Sequence, residues 1–272
     1  MHPARGRPGA GLPQRRGRPG PGRHGVTPVR VLTIQHEDDA GPGFIGERIQ
    51  ALGAHLDVLH PYLGDPVPLT TDGYDGLVVL GGTPGPFDDV AAPWLPDVRR
   101  LLATALAEEL PLLGICLGGE LLAAVAGGKI DRVDGPPEIG LHSLTPTDAA
   151  RTDPLFSGLP EAAPAVEWHW EEIVELPPGA VSLCRSERFP HQAFRVGPTA
   201  WGTQFHPEVL TDGAAAWARS GAGDLAAAGL TVEGVTAAVA AGEPELRRVW
   251  GDVAARWVQV VTAARSSRSE RG

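Results

Sequence analysis

From Val29 onward, short apolar runs alternate with amphipathic stretches. Runs at residues 29–34, 55–59, 77–80 and 112–116 fit strands, and the apolar spacing within 44–52, 93–110 and 117–126 fits helices between them. In 93–110 the residues Leu95, Val98, Leu101, Leu102 and Leu106 recur at helical spacing, and Pro93 suits a first helical turn. Strands that alternate with helices in this way require a parallel sheet covered on both faces.

The pattern changes at Lys129. Residues 129–203 are rich in Pro and Gly, with short β-like pieces at 141–144, 165–168, 173–176, 180–184, 192–196 and 200–204. They predict an antiparallel layer together with the last strands of the sheet. From Gly213 the chain is alanine-rich and helical, with predicted breaks at Gly221, Gly229 and Gly242 and a closing helix over 244–264. No internal repeat is visible.

Composition changes this picture at the N-terminus. Residues 1–28 hold six arginines, no acid and hardly an apolar side chain, which predicts a disordered basic tail. An arm for nucleic acid is the alternative, and a signal peptide is excluded because no apolar stretch is present. The remaining 17 basic and 33 acidic residues give the body a net charge of −16, which argues against nucleic acid as its ligand. No segment reads as a membrane span. Cys116 and Cys184 form neither a disulfide framework nor a metal-ligand pattern, so a reducing cytoplasm is expected, with Cys184 in the core.

Chemistry concentrates in three segments. Gly114-Ile-Cys-Leu-Gly-Gly-Glu120 sits between a strand and a helix, as a nucleophile elbow does. Gly114 and Gly118 leave room for a strained turn that exposes Cys116, and the helix N-terminus is expected to favour its thiolate. In Phe205-His-Pro-Glu208, residues two apart face the same side of an extended segment. The carboxylate of Glu208 can then accept the Nδ1–H of His206 and leave Nε2 for a thiol. Val79-Leu-Gly-Gly-Thr-Pro-Gly-Pro86 follows a strand, where Gly81 and Gly82 can turn a backbone N–H toward a developing oxyanion. Taken singly, each segment has an ordinary structural explanation as core or turn.

In this order the three segments resemble the class I glutamine amidotransferase family, over about residues 29–209 and nearest its GMP synthase glutaminase-like branch. Residues 88–95, Trp168-His169 and 191–194 look like the same branch. The resemblance implies a flavodoxin-like α/β fold with a mostly parallel central sheet and a small antiparallel layer. It also implies a domain over 29–212 and a helical extension, 213–272, packed on it. Cys116 is then nucleophile, His206 base and acid, Glu208 its orienter, and the N–H groups of Gly82 and Leu117 the oxyanion hole. Gly81, Glu120 and His169 are expected at the substrate, with no cofactor and no metal.

Two departures bear on the substrate. Most relatives carry glutamine where this chain has Glu120, and similar elbows ending in glutamate occur in γ-glutamyl hydrolases. Residues 169–172 read His-Trp-Glu-Glu where the GMP synthase glutaminase has His-Gly-Asp, so Trp170 and Glu171 can reshape the rim. Trp168, Trp201 and Phe205 read as core aromatics. Glutamine hydrolysis is the first expectation, with ammonia passing to water or to a separate synthase subunit, since no phosphate loop follows in the chain. The alternatives are hydrolysis of substituted γ-glutamyl amides and a non-catalytic role as a regulatory or binding subunit. Glu120 also has an ordinary reading, as a solvent-linked helix residue paired with an arginine.

Overall fold

The computed structural model describes residues 28–269, so the tail expected over 1–28 lies, apart from Pro28, outside the described residues. The first half alternates as β1 (Arg30–Ile34), α1 (Gly43–Ala51), β2 (His55–Leu59), β3 (Gly76–Val79), α2 (Leu95–Ala107), β4 (Leu112–Ile115) and α3 (Leu117–Val125). The second half contributes β5 (Lys129–Arg132), β6 (Glu138–Pro146), β7 (Ala163–His169), β8 (Glu171–Glu175), β9 (Val181–Arg185), β10 (Ala193–Val196) and β11 (Ala200–Thr203). Three helices follow: α4 (Thr211–Ser220), α5 (Ala222–Ala227) and α6 (Val232–Ser269).

Nine strands form one sheet in the order β2-β1-β3-β4-β11-β10-β9-β6-β7. The first five are mutually parallel and the rest pair antiparallel, so seven of the nine run in the same sense. The expected antiparallel layer is therefore mostly a wing of the central sheet, and β5 and β8 form a separate pair. Strand side chains alternate between two cores, as a sheet buried on both faces requires. Val31, Val78, Leu113, Ile115 and Trp201 join one core with α1, α4 and α6. Leu32, Ile34, Leu77, Val79 and Leu112 join the other with α2 and α3.

The predicted break at Gly242 is absent, because α6 runs through both Gly242 and Pro244. Burial of Val239, Leu246, Val249, Trp250, Val253, Trp257 and Val261 against the sheet outweighs the hydrogen bond that a proline removes from a helix. α6 approaches β6 closely at Gly242, where a methyl group would lie 2.7 Å from Leu141 Cδ2. Trp250 packs on Phe205 at 4.6 Å and donates its Nε1–H to the Pro164 carbonyl at 3.0 Å, tying α6 to the segment after β11 and to the edge strand β7.

Candidate active site

The site is assembled at the carboxyl ends of three adjacent parallel strands, where loops leave the sheet and side chains can face outward. β3 leads into Gly81 and Gly82, β4 into Cys116, and β11 into Gln204, Phe205 and His206. The ends of β4 and β11 are fastened directly, with the Cys116 N–H donating to the Thr203 carbonyl at 2.8 Å.

Cys116 occupies φ 50°, ψ −110°, a conformation that L-residues rarely adopt. It persists because α3 starts pressed onto the strands. A methyl group on Gly118 would lie 2.0 Å from the Val79 carbonyl oxygen, and one on Gly114 would lie 2.4 Å from the Gly118 carbonyl. Only glycine allows the helix so close, and the closeness forces the turn.

His206 is held on three sides. Its backbone N–H donates to the Val166 carbonyl at 2.8 Å, its ring meets Trp217 edge-on at 4.8 Å, and Nδ1 lies 2.8 Å from Glu208 Oε1. Glu208 is fixed in turn, because its carbonyl accepts the N–H of Phe44 at 2.9 Å. That contact depends on Gly43, at φ +42°, where a methyl group would come within 2.4 Å of the same oxygen. Among the described residues the Nε2 of His206 is buried without a partner, as is one oxygen of Glu208. Gly81 lies between the reactive groups: a methyl group there would be 2.9 Å from His206 Cε1 and 3.5 Å from Cys116 Cβ.

Cys116, Gly82, Glu120, His169 and His206 all line one open cavity of about 270 Å³, whereas Gly81, Leu117 and Glu208 stand behind them. The Leu117 N–H faces the thiol and favours its ionised form, as expected at a helix start. Larger effects reverse the expectation of a resting thiolate. Burial first, then the charges of Glu120 and Glu208, push the Cys116 thiol well above its ordinary value.

Among the described residues, Glu120 has no arginine partner. It is 3 % exposed and accepts the Nε2–H of Gln204 at 2.8 Å. Burial raises its carboxyl to about 7 despite that bond. Gln204, which also lies 4.0 Å from the Cys116 sulfur, is a site residue that sequence reasoning misses, although it stands two residues before His206 on the same side of the segment.

His169 lines the cavity, yet both its nitrogens are taken. Nδ1 donates to the Glu171 carbonyl at 2.7 Å, and Nε2 lies 3.4 Å from carboxylate oxygens of both Glu138 and Glu167. Burial works against a charge on the ring, but these hydrogen bonds prevail and raise it to about 10. His169 thus braces the turn that carries Trp170 and Glu171 into the cavity wall, instead of presenting a nitrogen to a ligand. Glu138, Glu167 and His169 have the donor types a divalent ion takes, all within 4.8 Å of one another. The imidazolium already supplies the positive charge among them.

Trp168 also lines the cavity, at 5.7 Å from Trp217, which corrects its expected place in the core. Trp201, Phe205 and Cys184 are fully buried core residues.

A parallel sheet with a strained cysteine elbow and a histidine–glutamate segment on neighbouring strand ends defines a family. The chain belongs to the class I glutamine amidotransferases, whose family model matches residues 44–216. Among individual proteins, it is 34% identical over 169 residues to a glutamine-hydrolyzing GMP synthase of Porphyromonas gingivalis, covering 61% of this chain but only 30% of that one. It is 35% identical over 158 residues to the protein of Methanopyrus kandleri that forms one subunit of a glutamine-hydrolyzing GMP synthase, covering 54% of this chain and 79% of the relative. It is 32% identical over 139 residues to gamma-glutamyl peptidase 5 of Arabidopsis thaliana, covering 50% and 55%. The crystal structure of a glutamine amidotransferase from Thermotoga maritima superposes with a TM-score of 0.77 at 26% identity, covering 86% of this chain and 99% of that one. Among the described residues no helix is long and apolar enough to cross a membrane.

Proposed function

We propose that this chain is a cysteine amidohydrolase that cleaves the side-chain amide of glutamine through a γ-glutamyl thioester. One observation carries the reading: a strained Cys116 shares a cavity with a buried His206 whose Nδ1 is held by Glu208 and whose Nε2 has no partner among the described residues.

As the Cys116 sulfur attacks the amide carbon, its proton passes to His206 Nε2. Charge gathers on the carbonyl oxygen, where the N–H groups of Gly82 and Leu117 receive it. A single oxyanion donor of this kind is worth ~3 kcal/mol of barrier. The carbon–nitrogen bond then breaks as His206 protonates the leaving nitrogen, and ammonia departs. Water attacks the thioester with His206 again accepting a proton, the carbon–sulfur bond breaks, and glutamate leaves as the thiol is restored. Glu208 holds the imidazole and offsets its positive charge in both halves.

Ammonia passes to water or to a separate synthase subunit; the second route is supported by the Methanopyrus relative, which is named as one subunit of a GMP synthase. A reducing, cytoplasmic setting suits an enzyme that depends on a free thiol. A second reading, hydrolysis of substituted γ-glutamyl amides, is favoured by Glu120, which sets a carboxylate at the buried end of the cavity where an α-ammonium can bind.

The test is ammonia release from L-glutamine by the purified chain, with Cys116→Ala beside it. The expected result is loss of at least about a thousandfold of activity in the variant at unchanged thermal stability. Turnover retained by the alanine variant refutes the nucleophile. Failure of a glutamine-derived chloroketone to label the folded wild-type chain at Cys116 favours a regulatory binding role instead.

A further inference from the structure

The cavity that holds Cys116 has an unbalanced lining. Among the described residues five carboxylates face it, from Glu37, Asp39, Glu120, Glu171 and Asp224, and no lysine or arginine does. His169, which also lines it, is shared between Glu138 and Glu167. Arg132 reaches Glu171 at 3.5 Å. Among the described residues, Glu37, Asp39 and Asp224 make no ion pair, and the Glu37 carboxylate accepts the Thr83 N–H at 3.2 Å. Three indoles, Trp168, Trp170 and Trp217, complete the wall. Trp217 donates its Nε1–H to the Asp39 carbonyl at 3.1 Å, so aromatic and acidic parts of the wall are joined.

The cavity is also graded in depth. Cys116, Glu120 and His206 are buried at one end, with His206 Nε2 unpartnered there, while Asp39 and Asp224 are exposed at the other. An amide carbonyl engaged by Cys116 therefore places its leaving nitrogen, and whatever the nitrogen carries, on the path to an acidic, indole-lined mouth. Carboxylates together with indole faces attract an ammonium and repel a carboxylate. Glutamine itself, a zwitterion with ammonia as its leaving group, makes no use of that mouth.

We propose that the mouth is a subsite for a positively charged leaving amine, so that the substrates are γ-glutamyl amides of diamines or longer polyamines. This rests on the second reading above, that substituted γ-glutamyl amides are hydrolysed. The chemistry is unchanged: the carbon–nitrogen bond breaks, His206 protonates the leaving nitrogen, and a diamine departs in place of ammonia. The second ammonium is held by Asp39 and Asp224 against the indoles, and takes no part in the reaction.

The test compares three γ-glutamyl amides of similar length, made from putrescine, butylamine and γ-aminobutyrate, with glutamate release followed for the full chain. The putrescine amide should exceed the butylamine amide by at least about tenfold in kcat/KM, with the γ-aminobutyrate amide slowest. The ratio should shrink in ~1 M salt, where charges are screened within about 3 Å, and in an Asp39→Asn, Asp224→Asn double variant. Equal rates for the putrescine and butylamine amides, or preference for the anionic one, overturn the subsite and leave the hydrolase standing. If none of the three is cleaved, the hydrolase reading fails on its own, and calorimetric binding of the same amides to Cys116→Ala decides the subsite. Tightest binding of the putrescine amide supports it; equal or absent binding overturns it.

Discussion

Glu120 and Cys116 restrain one another. Each is buried, and an ionised Glu120 makes the thiolate harder to form. The raised carboxyl also links stability to pH. Unfolded, Glu120 titrates near 4.5, and in the fold near 7, so between these values the folded chain binds more protons than the unfolded one. Its stability therefore falls as pH rises through that window, by at most about 3 kcal/mol from this group. Replacing Glu120 with glutamine, which can still accept the Gln204 N–H, removes the charge. Urea denaturation should show Glu120→Gln more stable than wild type at pH 8 and little different at pH 4. Equal stabilities at pH 8 would mean that water or an unseen partner solvates the carboxylate. That Cys116, His206 and Glu208 come together was legible from the segments that carry them, since Cys, His and Glu at these spacings have few other joint uses. Protonation states were not, because they depend on burial and on carboxylates that only the fold brings near.

At the level of elements, the elbow between β4 and α3 is the most demanding join in the chain. A Cβ on Gly118 meets the Val79 carbonyl at 2.0 Å, and the backbone there cannot move without opening the sheet. Gly118→Ala should cost about 3 kcal/mol or more, whereas Gly223→Ala, in open space on α5, should gain ~0.5–1 kcal/mol of helix propensity. Thermal denaturation of the two variants checks both signs. The sequence announced this join because tight turns and close approach use glycine, a local signal. It did not announce β5, whose Lys-Ile-Asp-Arg offers a single apolar residue and whose strand is held by pairing with β8. Nor did it show the full length of β6, which runs from buried Glu138 to Pro146, paired with Cys184. Long-range partners set such ends, and a window of sequence does not contain them.

At the scale of the whole molecule, α6 is structural cover. Trp250 and Trp257, both buried, belong to the same core as Val31, Val78 and Trp201 from the sheet. A chain ending before Val232 should lose that face and fail to fold, giving insoluble protein or a chain without a cooperative thermal transition. A soluble, active fragment of that length would contradict the shared core. The order of the strands also reaches beyond local pattern: β11 comes last in sequence but inserts beside β4, and no periodicity specifies that neighbour. Apolar runs in the first half foretold a doubly covered sheet, while the insertion that brings His206 to Cys116 is a property of topology.

That insertion sets Cys116 and His206 between two layers. Cys116 packs in the core shared with α1 and α4, but the helix that starts from it, α3, packs with α2 on the other side of the sheet. His206 and Glu208 are gripped from the opposite side, by Trp217 on α4 and by the start of α1. The thiol and the imidazole thus act as the two jaws of a caliper whose hinge is the sheet itself. A slip between the layers too small to disturb any helix spoils their alignment, so on warming, catalysis should fail while the secondary structure is still intact.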